Sequence, residues 1–199
     1  MGHKNFFMEK FALTLESQPA IDAYLADSFV SRDEMPILLE IGSAISSGDI
    51  ALLAWFAGFG DSFRQILMNV KEHRRALEFG FTEIAFNRYG WFSCSPFLDR
   101  ETIGFEQSEI RIGRGPNGLW VYALRCNYGV AGDSGPLSVF CKQYPSREAV
   151  LDAALAELKM KISRYVGNSD TTNYKQDVLN KTLKAIAAYQ VDRVQLSLF

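Results

Sequence analysis

Near residue 80 the spacing of apolar side chains changes, and this change constrains the fold more than any other feature of the chain. Up to residue 78 they recur at helical intervals. Ser17 stands where it can cap a helix with Pro19 in its first turn, and Ile21, Tyr24, Leu25 and Phe29 then share one face. Ser31 precedes Glu34 at the capping-box spacing, ahead of "MPILLEIGSAI". Asp49 is placed to cap "IALLAWFAGF", which is too short to span a bilayer and reads as a buried helix. In "GDSFRQILMNVKEHRRALEFG", Asp61 or Ser62 can cap, Phe63, Ile66, Leu67 and Val70 form a stripe, and Gly80 can terminate.

Beyond that point the chain is rich in aromatic and β-branched residues and partly alternates. "FTEIAFNRYGWFSCS" and "SEIRIGRGPNGLWVYALRCNYG" read as strands, with "GRGPNG" (Gly113 to Gly118) as a hairpin turn. "GVAGDSG" (Gly129 to Gly135) reads as a second glycine-rich connection, and "PLSVFCKQY" as a third strand. Helical spacing returns in "PSREAVLDAALAELKMKISRYVG", where Ser146 can cap and Leu151, Ala154, Leu155, Leu158 and Ile162 form the stripe. After the polar "NSDTTN", a last helix carries Leu179, Leu183 and Ile186 on one side. The predicted class is α+β: a helical N-terminal third, a central antiparallel β-meander of three to four strands, then C-terminal helices and a short extended tail. The expected organisation is a helical region 1–78 packed as one domain with a sheet-plus-helix region 79–166, followed by linker, terminal helix and tail over 167–199.

The formal net charge of -2 argues against a protein whose main work is gripping phosphate backbones. The three cysteines, Cys94, Cys126 and Cys141, form neither a CxxC nor a disulfide framework, so reduced thiols in a cytoplasmic protein are expected. "MGHKNFFMEK" has no leader-like apolar stretch, and no membrane association is expected.

Several stretches carry possible chemistry. "GDSG" (Gly132 to Gly135) has the look of a serine-protease nucleophile loop, but that chemistry needs a histidine oriented by a buried carboxylate. Of the two histidines, His3 lies near the N-terminus and His73 lies in a predicted helix, so a turn is expected at "GDSG". The basic run "KEHRR" offers Lys71, Arg74 and Arg75 as contacts to nucleic acid or an acidic partner, which Arg111 and Arg114 could join; a solvated helix face is the plainer reading. Trp91, Phe92, Trp120 and Tyr122 could stack bases, though aromatic core is expected. Asp99, Glu101, Glu106 and Glu109 follow no metal-binding spacing, and neither a metal site, a cofactor nor an enzyme class is indicated.

The stretch ending in "YPSREAVLDAALAEL" resembles a small strand–turn–strand–helix module of phage and plasmid proteins. The chain then closes on "VQLSLF". Its last five residues, Gln195, Leu196, Ser197, Leu198 and Phe199, resemble the pentapeptide with which bacterial polymerases, repair proteins and initiation regulators bind the replication sliding clamp. In that family the pattern is Gln-Leu-Ser/Asp-Leu-Phe, commonly at or near a chain end. The resemblance implies a replication or repair accessory or regulatory protein, of a kind that phages and plasmids also encode, that docks on the bacterial sliding clamp through residues 195–199 and meets DNA through it. Val194 would be the seam between helix and tag, and packing of Leu196 and Leu198 back on the domain as a strand is the competing reading. Two other classes stay open for the body. One is a clamp-independent binding module, such as a mobile-element inhibitor of host defence; the other is a DNA-processing enzyme using Asp99, Glu101 or Glu106.

Overall fold

The structure is a computed structural model that describes residues 12–27 and 29–196. It has the predicted α+β architecture and divides into two compact units, Met1–Ser95 and Pro96–Phe199.

The first unit opens with a short 3-10 turn, Leu15–Ser17, that runs directly into α1 (Gln18–Asp27). Ser17 is therefore not a cap: it closes the turn, and its Oγ accepts the Thr14 N–H at 2.9 Å. The expected stripe is only half buried. Ile21 is in the core, whereas Leu25 is exposed and Phe29, beyond the helix, is 89% exposed. The Glu34 carboxylate accepts the Ser31 N–H at 3.0 Å just ahead of α2 (Met35–Ser47), which Gly48 ends at φ 70°. Asp49 caps α3 (Ile50–Ala57) by accepting the Leu52 N–H at 3.0 Å, and Ser62 caps α4 (Phe63–Leu77) by accepting that of Gln65 at 3.3 Å. Ile37, Leu38, Ile41, Leu53, Phe56, Ile66, Leu67 and Val70 close the core among these helices.

Residues 81–95 do not form the expected strand. They make an irregular excursion with one isolated bridge, Phe86 to Phe92. The physical reason lies on α4, whose side chains take the hydrogen bonds a neighbouring strand would supply. Buried Asn69 donates through Nδ2 to Phe59 O at 2.6 Å and Gly90 O at 2.8 Å, and its Oδ1 accepts the Phe92 N–H at 2.8 Å. Gln65 donates to the same Gly90 O at 2.9 Å. Gly90, at φ 76°, sits so close that a Cβ there would come within 2.4 Å of Gln65 Nε2. With Phe81 and Phe92 also buried, this stretch belongs with the helices, and the units divide at 95/96 rather than at 78/79.

The second unit is an antiparallel meander in the order β1 (Leu98–Phe105), β2 (Ser108–Arg114), β3 (Trp120–Asn127) and β4 (Gly132–Ser134). "GRGPNG" makes the β2–β3 turn, with Gly115 N–H donating to Leu119 O at 2.7 Å. Two departures from the expected strands stand out. β1 was not anticipated, because acids and Arg100 break its alternation at the sheet edge. β4 is "GDS" itself, not the following "PLSVFCKQY", of which only Tyr144 makes a bridge, exchanging N–H and O with Trp120 at 2.8 Å. The chain leaving β4 is instead tied to β2 by Arg111 Nη2 donating to Gly135 O at 2.6 Å. Phe97 and Leu137 close over Gly113, where a Cβ would come within 2.7 Å of Phe97.

The inner face presents Phe105, Ile110, Ile112, Leu124 and Cys126 to two helices. Ser146 caps α5 (Arg147–Ser163), accepting the Ala149 N–H at 3.1 Å, and α5 buries the whole predicted stripe from Leu151 to Ile162. The last helix, α6 (Gln176–Leu196), buries Leu179 and Ile186, with Leu183 partly covered. It continues past Val194 through Leu196, so Gln195 and Leu196 are helical and not part of the expected extended tail; residues 197–199 lie outside the described residues. Among the described residues no helix is long and apolar enough to cross a membrane.

Candidate docking site at the end of the last helix

α6 is fixed at its start and along one face. Lys175 N–H donates to Tyr128 O at 2.7 Å, joining the helix start to the end of β3. Tyr165 and Tyr174 stack with centroids 4.1 Å apart and planes 8° from parallel, and Tyr128 packs against both. Gln176 bridges the same turn, accepting the Gly167 N–H at 2.8 Å and donating to the Tyr165 and Tyr174 carbonyls at 3.2 Å. Further along, Tyr189 meets Phe105 edge-on at 5.4 Å, and Arg193 reaches α5 to pair with Asp152 at 2.7 Å. Val194 is 61% exposed and Gln195 is exposed. The pentapeptide thus starts on the solvent side of a helix whose other face is anchored, with Leu196 its last helical residue. Ser197, Leu198 and Phe199 lie outside the described residues.

The basic candidates are each engaged with a carboxylate of their own unit. Lys71 pairs with Glu34 at 3.1 Å, Arg74 with Glu40 at 2.7 Å and Arg75 with Glu78 at 2.8 Å. Burial alone would raise the Glu34 pKa; the Ser31 N–H and Lys71 more than offset this and hold it below the usual carboxylate range. Arg111 ties down residues 134–135 and lies 3.4 Å from Glu109, and Arg114 pairs with Asp99 at 2.6 Å. Lys71, Arg74 and Arg75 belong to the first unit, and Arg111 and Arg114 to the second.

The catalytic candidates are likewise absorbed. Within "GDSG", Asp133 accepts from Lys161 at 2.6 Å and Ser134 Oγ accepts from Arg111 at 3.3 Å, both from a strand rather than the expected turn. His73 is buried in the first unit among Trp55, Phe59 and Phe92, with ring centroids 6.2, 5.2 and 5.6 Å away. Burial, aided by Arg74, lowers its pKa. Glu101 is held by both nitrogens of a fork from Arg147, at 2.7 and 2.6 Å. Among the described residues no group of three or more His, Cys, Asp and Glu could hold a metal ion. Burial, with Glu72, pushes the Cys94 thiol up to about 11, which keeps it protonated and unreactive. Trp120 and Tyr122 lie half-buried on the helix-covered face of the sheet, and Trp91 is 38% exposed.

Sequence reasoning missed one polar chain. The Tyr122 hydroxyl donates to Glu157, and Lys161 lies 3.6 Å from Glu157 while reaching Asp133 at 2.6 Å. The i,i+4 spacing of Glu157 and Lys161 was the available signal; their partners on β3 and β4 were not. Because each group's partner is another member, the chain ties α5 to the sheet edge and leaves no group poised for chemistry. Comparison with known protein families, with curated proteins and with solved structures finds no match to this chain.

Proposed function

We propose that this protein is a DNA replication or repair accessory or regulatory protein that docks on the bacterial sliding clamp through residues 195–199. The observation that carries the reading is the pentapeptide Gln-Leu-Ser-Leu-Phe, matching the clamp-binding pattern at every position. Its placement supports the reading: Gln195 is exposed in the last turn of α6. The chemistry is suited to a concave apolar site. The Gln195 amide both donates and accepts, so it can set register at a pocket rim. Burial of Leu196, Leu198 and Phe199 is worth about 1.5–3 kcal/mol per side chain, part of which immobilising the peptide takes back. An affinity on the order of micromolar follows.

The test is binding of the full chain to purified bacterial sliding clamp, with and without Leu198 and Phe199. Binding that disappears on their removal supports the reading. Undiminished binding, or recovery from lysate of a different protein and no clamp, overturns it.

A further inference from the structure

The first unit holds an open cleft of about 360 Å³ at the start of α4, lined by residues 58–61, Gln65, Phe86 and Gly90. Its backbone is pinned from α4. Asn69 takes the Phe59 and Gly90 carbonyls, and Gln65 takes the same Gly90 carbonyl while its Oε1 accepts the Asp61 N–H at 2.9 Å. Cβ atoms at Gly60 and Gly90 would come within 2.6 and 2.4 Å of Gln65, so that side chain fits only against glycine. A ligand entering here has little of the protein left to order. The chemistry of the lining is specific. Phe59 and Phe86 meet edge-on with centroids 6.0 Å apart, and Phe86 is 38% exposed. Asp61 supplies a carboxylate that, among the described residues, has no ion-pair partner. Glu34, Glu40 and Glu78 of the same unit each have one. Asp61 also stands one residue ahead of the Ser62 cap, where negative charge favours a helix N-terminus. That effect accounts for an acid at this position, but not for a pinned aromatic cleft beside it. The unit spanning residues 1–95 carries twelve Asp and Glu against eight Lys and Arg, so its net field attracts cations.

A carboxylate without a cation, an exposed aromatic ring and fixed walls together select a flat cation on an apolar stem. An arginine side chain meets each demand. Its guanidinium pairs with a carboxylate through parallel N–H bonds, it stacks on an aromatic face, and its methylenes cover apolar surface. A lysine ammonium is a point charge and offers no such fork. We propose that this cleft is a docking site for an arginine side chain presented by a partner polypeptide, with Asp61 as the paired anion and Phe86 as the stacking ring. The site goes beyond clamp docking and stands or falls separately from it, since its residues lie in the first unit and the pentapeptide in the second.

The experiment is an NMR titration of the full chain with N-acetyl-arginine N-methylamide, whose guanidinium is its only charge. The paired probe is N-acetyl-citrulline N-methylamide, which has nearly the same shape and no charge. Saturable shifts should centre on residues 58–61, Gln65 and residues 86–90. The citrulline probe should bind about tenfold more weakly or worse, and Asp61→Asn should weaken the arginine probe by a similar factor, as loss of a charge-assisted pair implies. Phe86→Ala should weaken it about threefold, the scale of a cation–π contact. Shifts that do not saturate, shifts centred elsewhere, or affinities for the two probes within about twofold of each other overturn the proposal. That comparison uses the parent chain alone, so it holds even where a variant fails to fold. Unchanged affinity of a folded Asp61→Asn chain for the arginine probe overturns it as well, and leaves Asp61 with its helix N-terminus alone.

Discussion

His73 is buried with its Nδ1 unpartnered, inside a ring of Trp55, Phe59 and Phe92. Burial, with Arg74 beside it, disfavours the imidazolium, so the folded-state pKa lies below the ordinary histidine value. The unfolded chain, titrating near about 6.5, takes up the proton first as pH falls. The stabilisation from keeping this imidazole neutral is therefore complete above that value, is lost as pH falls toward the folded pKa, and is constant below it. His73→Phe keeps an aromatic ring in the cluster and removes the titration. Urea denaturation across pH 7.5 to about 5.5 should show a flatter stability profile for the variant than for the parent; parallel profiles would refute the assignment. None of this was legible in "KEHRR", where His73 read as part of a basic run. A helix face is declared by its own spacing, but which face meets Trp55 and Phe92 is decided by residues far along the chain. The same holds for Asn69. Nothing local announces that its amide organises Phe59, Gly90 and Phe92.

Elements whose causes are local were readable, and elements whose causes are tertiary were not. Asp49, Ser62 and Ser146 cap the helices that follow them, because a cap needs only a side-chain oxygen a few residues ahead of an N–H. Strands need partners. Aromatic-rich 81–95 looked like one and is not, since Gln65 and Asn69 of α4 take its Gly90 carbonyl and Phe92 N–H; charged β1 did not look like one and is, since β2 pairs along it. The β1–β2 turn shows what this placement demands. Glu106 sits in it at φ 57°, the left-handed region, with no glycine to ease it. A non-glycine residue there costs roughly 1–2 kcal/mol, and glycine's greater freedom in the unfolded chain returns about 0.5–1 kcal/mol of that. Glu106→Gly should therefore raise stability by about 0.5–1 kcal/mol in equilibrium denaturation, and a loss of stability would show that the turn is not strained as the dihedral implies. The tag belongs at this scale as well. The sequence reading placed the helix end at Val194, two residues short of Leu196, because a pentapeptide motif says nothing about how far the preceding helix runs.

Each of the two units has a hydrophobic core of its own. The first draws on Leu13 through Val70 and the second on Phe105 through Ile186, and no residue is shared between the two clusters. Expectation joined the helical third and the sheet into one domain, since no Gly/Pro/Ser-rich linker separates them in the sequence. The second unit closes by itself: β1 through β4 pair in chain order, α5 and α6 cover the inner face, and Phe97 and Leu137 close over Gly113 on the other. A chain segment with a complete sheet, a covered face and its own core meets the physical requirements of an independent folding unit. The fragment 96–199 should accordingly express as a monodisperse species with a cooperative thermal transition and a dispersed amide spectrum. It carries α6, the Arg193–Asp152 pair and the whole pentapeptide, so on the proposed function it should bind the sliding clamp within about twofold of the full chain, a difference below roughly 0.5 kcal/mol. A fragment that folds but binds at least tenfold more weakly would place part of the docking surface in residues 1–95. A fragment that does not fold would show that the second core, complete by its contacts, depends on the first for its stability.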